Sequence, residues 1–277
     1  MSTWELLHHG FMQRALAGAL LASLACGVIG SLIVVNRMLF VSGALSHATY
    51  GGIGLALFLG WPVMPVLYGF TSVMAVGLWR LRRRYGDDEA WLGAMWSAGM
   101  ALGAILVQLT PGYAPDLGGY LFGNLMTISP ADLWLSGSIL LVGLLVIAGG
   151  YRMWALFSAD QQFAKSRGLP VSALEGVLLV LAAWAIVVVL QVAGLLLAMA
   201  LFSIPALLVH HRARSLGAMM ILTALLNAAC SLGGLWLAVW LDVSPGPAIV
   251  VVACFLLLID LVWRRCRPWC SKTARVS

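Results

Sequence analysis

Nine apolar runs of 17 to 26 residues divide this chain, at 11–35, 43–59, 61–79, 90–109, 131–149, 173–190, 192–209, 216–241 and 245–263. A helix needs about 20 apolar residues to cross the hydrocarbon of a bilayer. Lipid offers a backbone no hydrogen-bond partners, so only helices and closed barrels can cross it. The strands of a barrel would alternate in polarity over about 10 residues, and these runs do not alternate. The chain is therefore expected to be all-α, a polytopic helical membrane protein with about nine transmembrane helices forming one unit over residues 1–277. Composition agrees: only 9% of the residues are charged, against about 25% in soluble domains. The first run ends at Asn36-Arg37 and not at a small-residue cleavage site, so it reads as a span and not as a removable leader. The stretch 173–209 is almost continuous but too long for one span, and a turn is expected around Gln191 and Gly194. Trp61-Pro62 separates the second run from the third in the same way.

Charge orients the runs. Arg37, the group Arg80 to Arg84, the set Arg152, Lys165 and Arg167, the pair Arg212 and Arg214, and the tail from Arg264 to Arg275 all fall on alternate connections. With nine spans, every basic residue except Arg14 lies on one side. The positive-inside rule then places the C-terminus in the cytoplasm and the N-terminus outside. The net charge of +6 is accounted for by this topology, so nothing calls for nucleic acid as a partner. Trp61, Trp79, Trp134, Trp240 and Trp263 fit interfacial belts against membrane lipid. The cysteines form no framework. Cys26, Cys230 and Cys254 stand singly in apolar runs, and Cys266 and Cys270 read as a solvated pair more simply than as a metal clip.

Two connections exceed a turn. The outer one, 110–130, can hold a short helix over 116–126 before Ser129 and Pro130 open the next span. The inner one contains Asp160, Phe163, Gly168, Leu169 and Pro170. It reads as a short amphipathic helix stopped by Gly168 and Pro170, and an ordered, charged inner loop of this kind suits contact with a partner.

One residue breaks the apolar pattern in a way that demands chemistry. His47 lies mid-run in Ser42-Gly43-Ala44-Leu45-Ser46-His47-Ala48-Thr49-Tyr50-Gly51-Gly52. An ionisable side chain at membrane depth is by default a functional site, and imidazole is a common ligand for transition metals. The plainer reading is a hydrogen-bond partner between helices. Gly51, Gly52 and Gly54 would let two helices, or two subunits, approach closely. Asp260 near Arg264 is read as an ion pair one turn apart, and Met199 as packing.

Four blocks give these features a family. They are Arg37-Met38 with Ser46-His47-Ala48; Leu121-Phe122-Gly123-Asn124-Leu125 with Ser129-Pro130-Ala131-Asp132-Leu133; Arg167-Gly168-Leu169-Pro170-Val171; and Val192-Ala193-Gly194-Leu195 with Ile204-Pro205-Ala206 and Gly246-Pro247-Ala248-Ile249-Val250. In this order and spacing they resemble the membrane permease subunit of bacterial ABC importers for zinc, manganese and iron(II). The resemblance implies a multi-pass protein of the bacterial inner membrane, paired with a second copy of itself, a cytoplasmic ATPase dimer and an extracytoplasmic metal-binding protein. It also implies that the chain is not itself an enzyme and holds no permanent cofactor. The absence of a Gly-x-x-x-x-Gly-Lys-Ser/Thr phosphate loop agrees with this. His47 would be the metal contact, Ser46 and Tyr50 would line the path, and Asp160 to Pro170 would couple to the ATPase. The family usually carries an aspartate four residues before the histidine, where this chain has Gly43. The missing hard oxygen weakens the case for manganese more than for zinc, which is the expected cargo, with manganese and iron(II) left open. The rival class is an ATP-independent secondary transporter or channel. It would need buried carboxylates and inverted repeats, and acids are nearly absent from the runs.

Overall fold

The computed structural model describes residues 10–86, 89–111, 123 and 128–273. Among them there are eleven helices and no strand. They are α1 (Gly10–Val35), α2 (Leu39–Leu59), α3 (Val63–Tyr85), α4 (Glu89–Leu109), α5 (Pro130–Gly149), α6 (Tyr151–Ala159), α7 (Gln161–Ser166), α8 (Val171–Ala193), α9 (Leu195–His210), α10 (Leu216–Leu241) and α11 (Pro245–Thr273). Each apolar run of the sequence coincides with one of the nine longer helices. Seven of these are long and apolar enough to cross a membrane. The other two are α2, whose 21 residues include His47 and several hydroxyls, and α9, which has only 16 residues. The expected outer helix over 116–126 lies outside the described residues, apart from Gly123.

Local chemistry sets the helix ends. Ser129 caps α5 by accepting from the Ala131 amide, with Pro130 in the first turn. Ser215 accepts from the Ala218 amide at the start of α10. The long run 173–209 breaks at Gly194 alone, with φ +76°, a backbone shape that glycine adopts without strain. Gln191 lies inside α8 and donates to Ser136 Oγ of α5 at 2.8 Å.

Helices α1 and α8 form the middle of the bundle, each with two thirds of its span buried. Only 17% of the α4 span is buried. The outward faces are apolar, with Trp134 81% and Trp240 72% exposed, as an interface with lipid requires. Trp79 also serves packing. It is half-buried and donates its indole N–H to the Ser172 carbonyl at 2.8 Å, which pins α3 to the start of α8. Asp260 is buried and pairs with Arg212 at the end of α9, tying α9 to α11. The expected partner, Arg264, has a side chain outside the described set.

The helix ends that carry basic residues meet at one end of the bundle. A cavity of about 960 Å³ there is lined by Arg37, Arg82, Arg83, Lys165, Glu89 and Glu175, among others. Arg82 pairs with Glu175 across it at 3.2 Å. At the other end, Arg14 donates to the Ile128 carbonyl at 3.4 Å.

Candidate functional site

The site begins with a close crossing of two helices. On α2, His47, Gly51 and Gly54 share one face, at spacings of about one and two turns. On α4, Trp96, Gly99 and Gly103 do the same. A Cβ added at Gly54 would lie 2.6 Å from the Gly103 carbonyl oxygen, and one at Gly51 would lie 3.0 Å from the Gly99 carbonyl oxygen. The backbones therefore touch where a side chain would hold them apart, as small residues permit between membrane helices. Of the glycines expected to permit close approach, Gly51 and Gly54 serve the α2–α4 seam, and Gly52 faces Phe70 of α3.

This crossing delivers Trp96 to His47. The two rings stack with centroids 3.9 Å apart and planes 11° from parallel. His47 is half-buried, yet its Nδ1 is fully buried and has no hydrogen-bond partner. Simple interhelical glue would leave that nitrogen bonded. An uncompensated imidazole nitrogen inside an apolar bundle is instead available to a cation or to water.

The hydroxyls around His47 are engaged locally. Ser46 Oγ donates to the Ser42 carbonyl at 2.8 Å, Ser42 Oγ to the Leu39 carbonyl at 2.7 Å, and Thr49 Oγ1 to the Leu45 carbonyl at 2.8 Å. All three side chains are buried. Their protons are spent on the helix backbone, which leaves only oxygen lone pairs to offer a ligand. Tyr50 is half-buried in the α2–α4 seam, against Gly103.

Gly43, one turn from His47, is buried. A Cβ built on it would lie 3.0 Å from Met199 Sδ of α9 and 3.9 Å from Trp96 Cζ3. The volume that a side chain would take at this position is therefore filled by a thioether and the edge of an indole. Sequence reasoning missed Trp96 as a site residue and read Met199 as packing. The available signal was a tryptophan set well inside a span and away from an interfacial end.

The segment from Asp160 to Pro170 is ordered as expected. Asp160 Oδ1 accepts from the amides of Gln162 at 2.8 Å and Phe163 at 3.0 Å, capping α7. Gly168, at φ +78°, closes the helix. Its N–H donates to the Lys165 carbonyl and the Leu169 N–H to the Ala164 carbonyl, the bonding pattern of a Schellman motif. Pro170 precedes the first residue of α8. Phe163 is 45% exposed beneath the Arg167 guanidinium, which lies 5.1 Å from its ring centre. The result is a rigid apolar knob beside the basic cavity.

Residues 8–264 match the family described as the ABC 3 transport family. The chain is 37% identical over 262 residues to the membrane protein slr2045 of Synechocystis sp., covering 94% of this chain and 93% of that one. It is 32% identical over 257 residues to the manganese transport system membrane protein MntC of Halalkalibacterium halodurans, covering 92% and 88%. Among solved structures, PsaBC from Streptococcus pneumoniae in complex with Fab superposes with a TM-score of 0.83 at 27% identity, over 92% of each chain.

Proposed function

This chain belongs to the ABC 3 transport family and is a multi-pass permease subunit of an ABC-type metal transporter in the bacterial inner membrane; from that premise we propose how it moves its cargo. The cargo is a divalent transition-metal ion carried inward, zinc in preference to manganese. Manganese, which the name of the 32% identical relative MntC carries, and iron(II) are the alternatives. His47 contacts the ion, with Ser46 and Tyr50 along the same path. The unpartnered Nδ1 of His47 carries this reading, and the absence of any carboxylate one turn away at Gly43 supports a borderline ion over a hard one.

One permease domain spans 1–277, crosses the membrane nine times and has its N-terminus outside and its C-terminus in the cytoplasm. The gathering of Arg37, Arg82, Arg83 and Lys165 at one end of the bundle supports this topology. The permease works as a homodimer with a cytoplasmic ATPase dimer, which hydrolyses ATP, and receives metal from an extracytoplasmic binding protein. The ATPase engages the segment from Asp160 to Pro170. Its capped helix and exposed Phe163 support the assignment.

The test is ATP-driven uptake in proteoliposomes holding the permease, its ATPase and its binding protein, with zinc and manganese supplied separately. His47→Ala should abolish uptake of both ions while the complex still assembles. Undiminished uptake by assembled His47→Ala would remove His47 from the path, and uptake independent of the ATPase would overturn the whole reading.

A further inference from the structure

We infer that Met199 supplies a thioether ligand beside His47, which makes this part of the path a nitrogen and sulfur site that favours borderline and soft divalent ions over manganese. The inference rests on the reading of His47 as the ion contact and adds a second donor from another helix.

Gly43 and His47 lie one turn apart on the same face of α2. Met199 Sδ is the atom nearest to where a side chain at 43 would begin, at 3.0 Å, with Cε farther off at 3.7 Å. Trp96 borders the same space, with Cζ3 3.9 Å from that point. The ring that borders the thioether is therefore the ring on which the His47 imidazole stacks, 3.9 Å between centroids. Trp96 forms a common wall for both groups.

Filling space alone would be served equally by leucine, which matches methionine in volume. Packing does not explain why an imidazole nitrogen is left buried without a partner on the same helix face. An ion held by the His47 imidazole and the Met199 thioether would account for both observations. Thioether sulfur is a soft donor that suits zinc and softer ions, whereas manganese prefers oxygen. Among the described residues no three His, Cys, Asp or Glu side chains gather to hold a metal. A weak two-donor site of this kind suits a transport path, where binding must be easy to leave.

The test uses the assembled transporter in proteoliposomes, with cadmium(II) as a soft probe and manganese(II) as a hard one. Met199→Leu should lower the ratio of cadmium to manganese uptake roughly tenfold. X-ray absorption on the cadmium-loaded complex made with selenomethionine should show a selenium neighbour, and Met199→Leu should lose it. An unchanged uptake ratio in assembled Met199→Leu would overturn the proposal. So would a cadmium shell without selenium in the unmutated complex, a result that stands even if Met199→Leu fails to assemble. Inactive His47→Ala with an unchanged ratio in Met199→Leu would sink the thioether alone. Active His47→Ala would sink the imidazole contact on which it depends.

Discussion

At Gly43, one turn from His47, the place of a side chain is taken by Met199 Sδ and the edge of Trp96. Substituting Gly43→Asp would place a carboxylate one turn from the imidazole, and its Cβ would begin 3.0 Å from Met199 Sδ. The nearest obstacle is a flexible side chain and not backbone, so Met199 can swing aside at modest cost. The expected outcome is a folded transporter whose manganese uptake rises relative to zinc, because a hard oxygen has joined the site as the sulfur leaves it. Parallel uptake assays with the two ions would read this. An unaltered ratio in folded protein would argue against this turn of α2 as the selectivity element. His47 and the peculiarity of Gly43 were legible in the sequence, because a lone imidazole in an apolar run is conspicuous and the resemblance marks the neighbouring position. The neighbours of His47 were not. Trp96 and Met199 lie about 50 and 150 residues further along the chain. Which of several tryptophans and methionines reach His47 depends on how α4 and α9 cross α2, and no local periodicity encodes that. Asp260 repeats the lesson. Its pairing with Arg212, 48 residues away, is not encoded in local helical spacing.

At the scale of elements, the α2–α4 seam and the loop from Asp160 to Pro170 make separable demands. A Cβ at Gly54 would meet Gly103 backbone atoms, the nearest at 2.6 Å. Backbone cannot rotate away as a side chain can, so Gly54→Ala must push α4 outward and spoil the Trp96–His47 stack. The expected cost is about 1–3 kcal/mol, typical of overpacking a close contact. It should be seen as a lower unfolding temperature in detergent together with loss of uptake. Gly69→Ala on α3 is the matched control, since nothing lies within 4 Å of its added Cβ, and it should leave stability unchanged or slightly raised. The Asp160–Pro170 loop should respond differently. Gly168→Pro forbids the φ of +78° and removes the N–H that closes α7, while Phe163→Ala removes the exposed knob and leaves the cap intact. Both should leave the helix bundle folded and uncouple ATP hydrolysis from uptake, Phe163→Ala with unchanged thermal unfolding and Gly168→Pro with a local loss of stability in the α7 turn. Normal uptake by both would place the ATPase contact elsewhere. This loop was readable from its residues because Asp160, Gly168 and Pro170 act within a few positions of where they stand.

For the whole molecule, helix lengths alone leave the topology open. Helix α9 has 16 residues, about 24 Å at 1.5 Å per residue, which falls short of a hydrocarbon core of about 30 Å. If α9 failed to cross, the connections after it would exchange sides. Arg212 and Arg214 would then no longer share a compartment with both Arg84 and the basic tail. The folded chain weighs against that exchange. Tyr151, just beyond α5, hydrogen-bonds through its hydroxyl to the Gly217 amide at the start of α10, two ends that the exchange would part; the pair of Arg212, at the end of α9, with Asp260 near the basic end of α11 holds in either arrangement. These contacts gather the ends of α5, α9 and α11 and the start of α10 at one level of the bundle. Opposite it, Gln191 near the end of α8 meets Ser136 near the start of α5. Reporter fusions after Tyr85, Lys165 and Arg214 should therefore all read cytoplasmic, and fusions after Ala114 and Asp242 should read external. Agreement of Lys165 with Arg214 is the decisive comparison, because the pair brackets α8 and α9. Opposite signals from these two fusions would mean that α8 and α9 together make a single crossing. The bundle would then have eight spans, and the N-terminus and C-terminus would lie on the same side of the membrane.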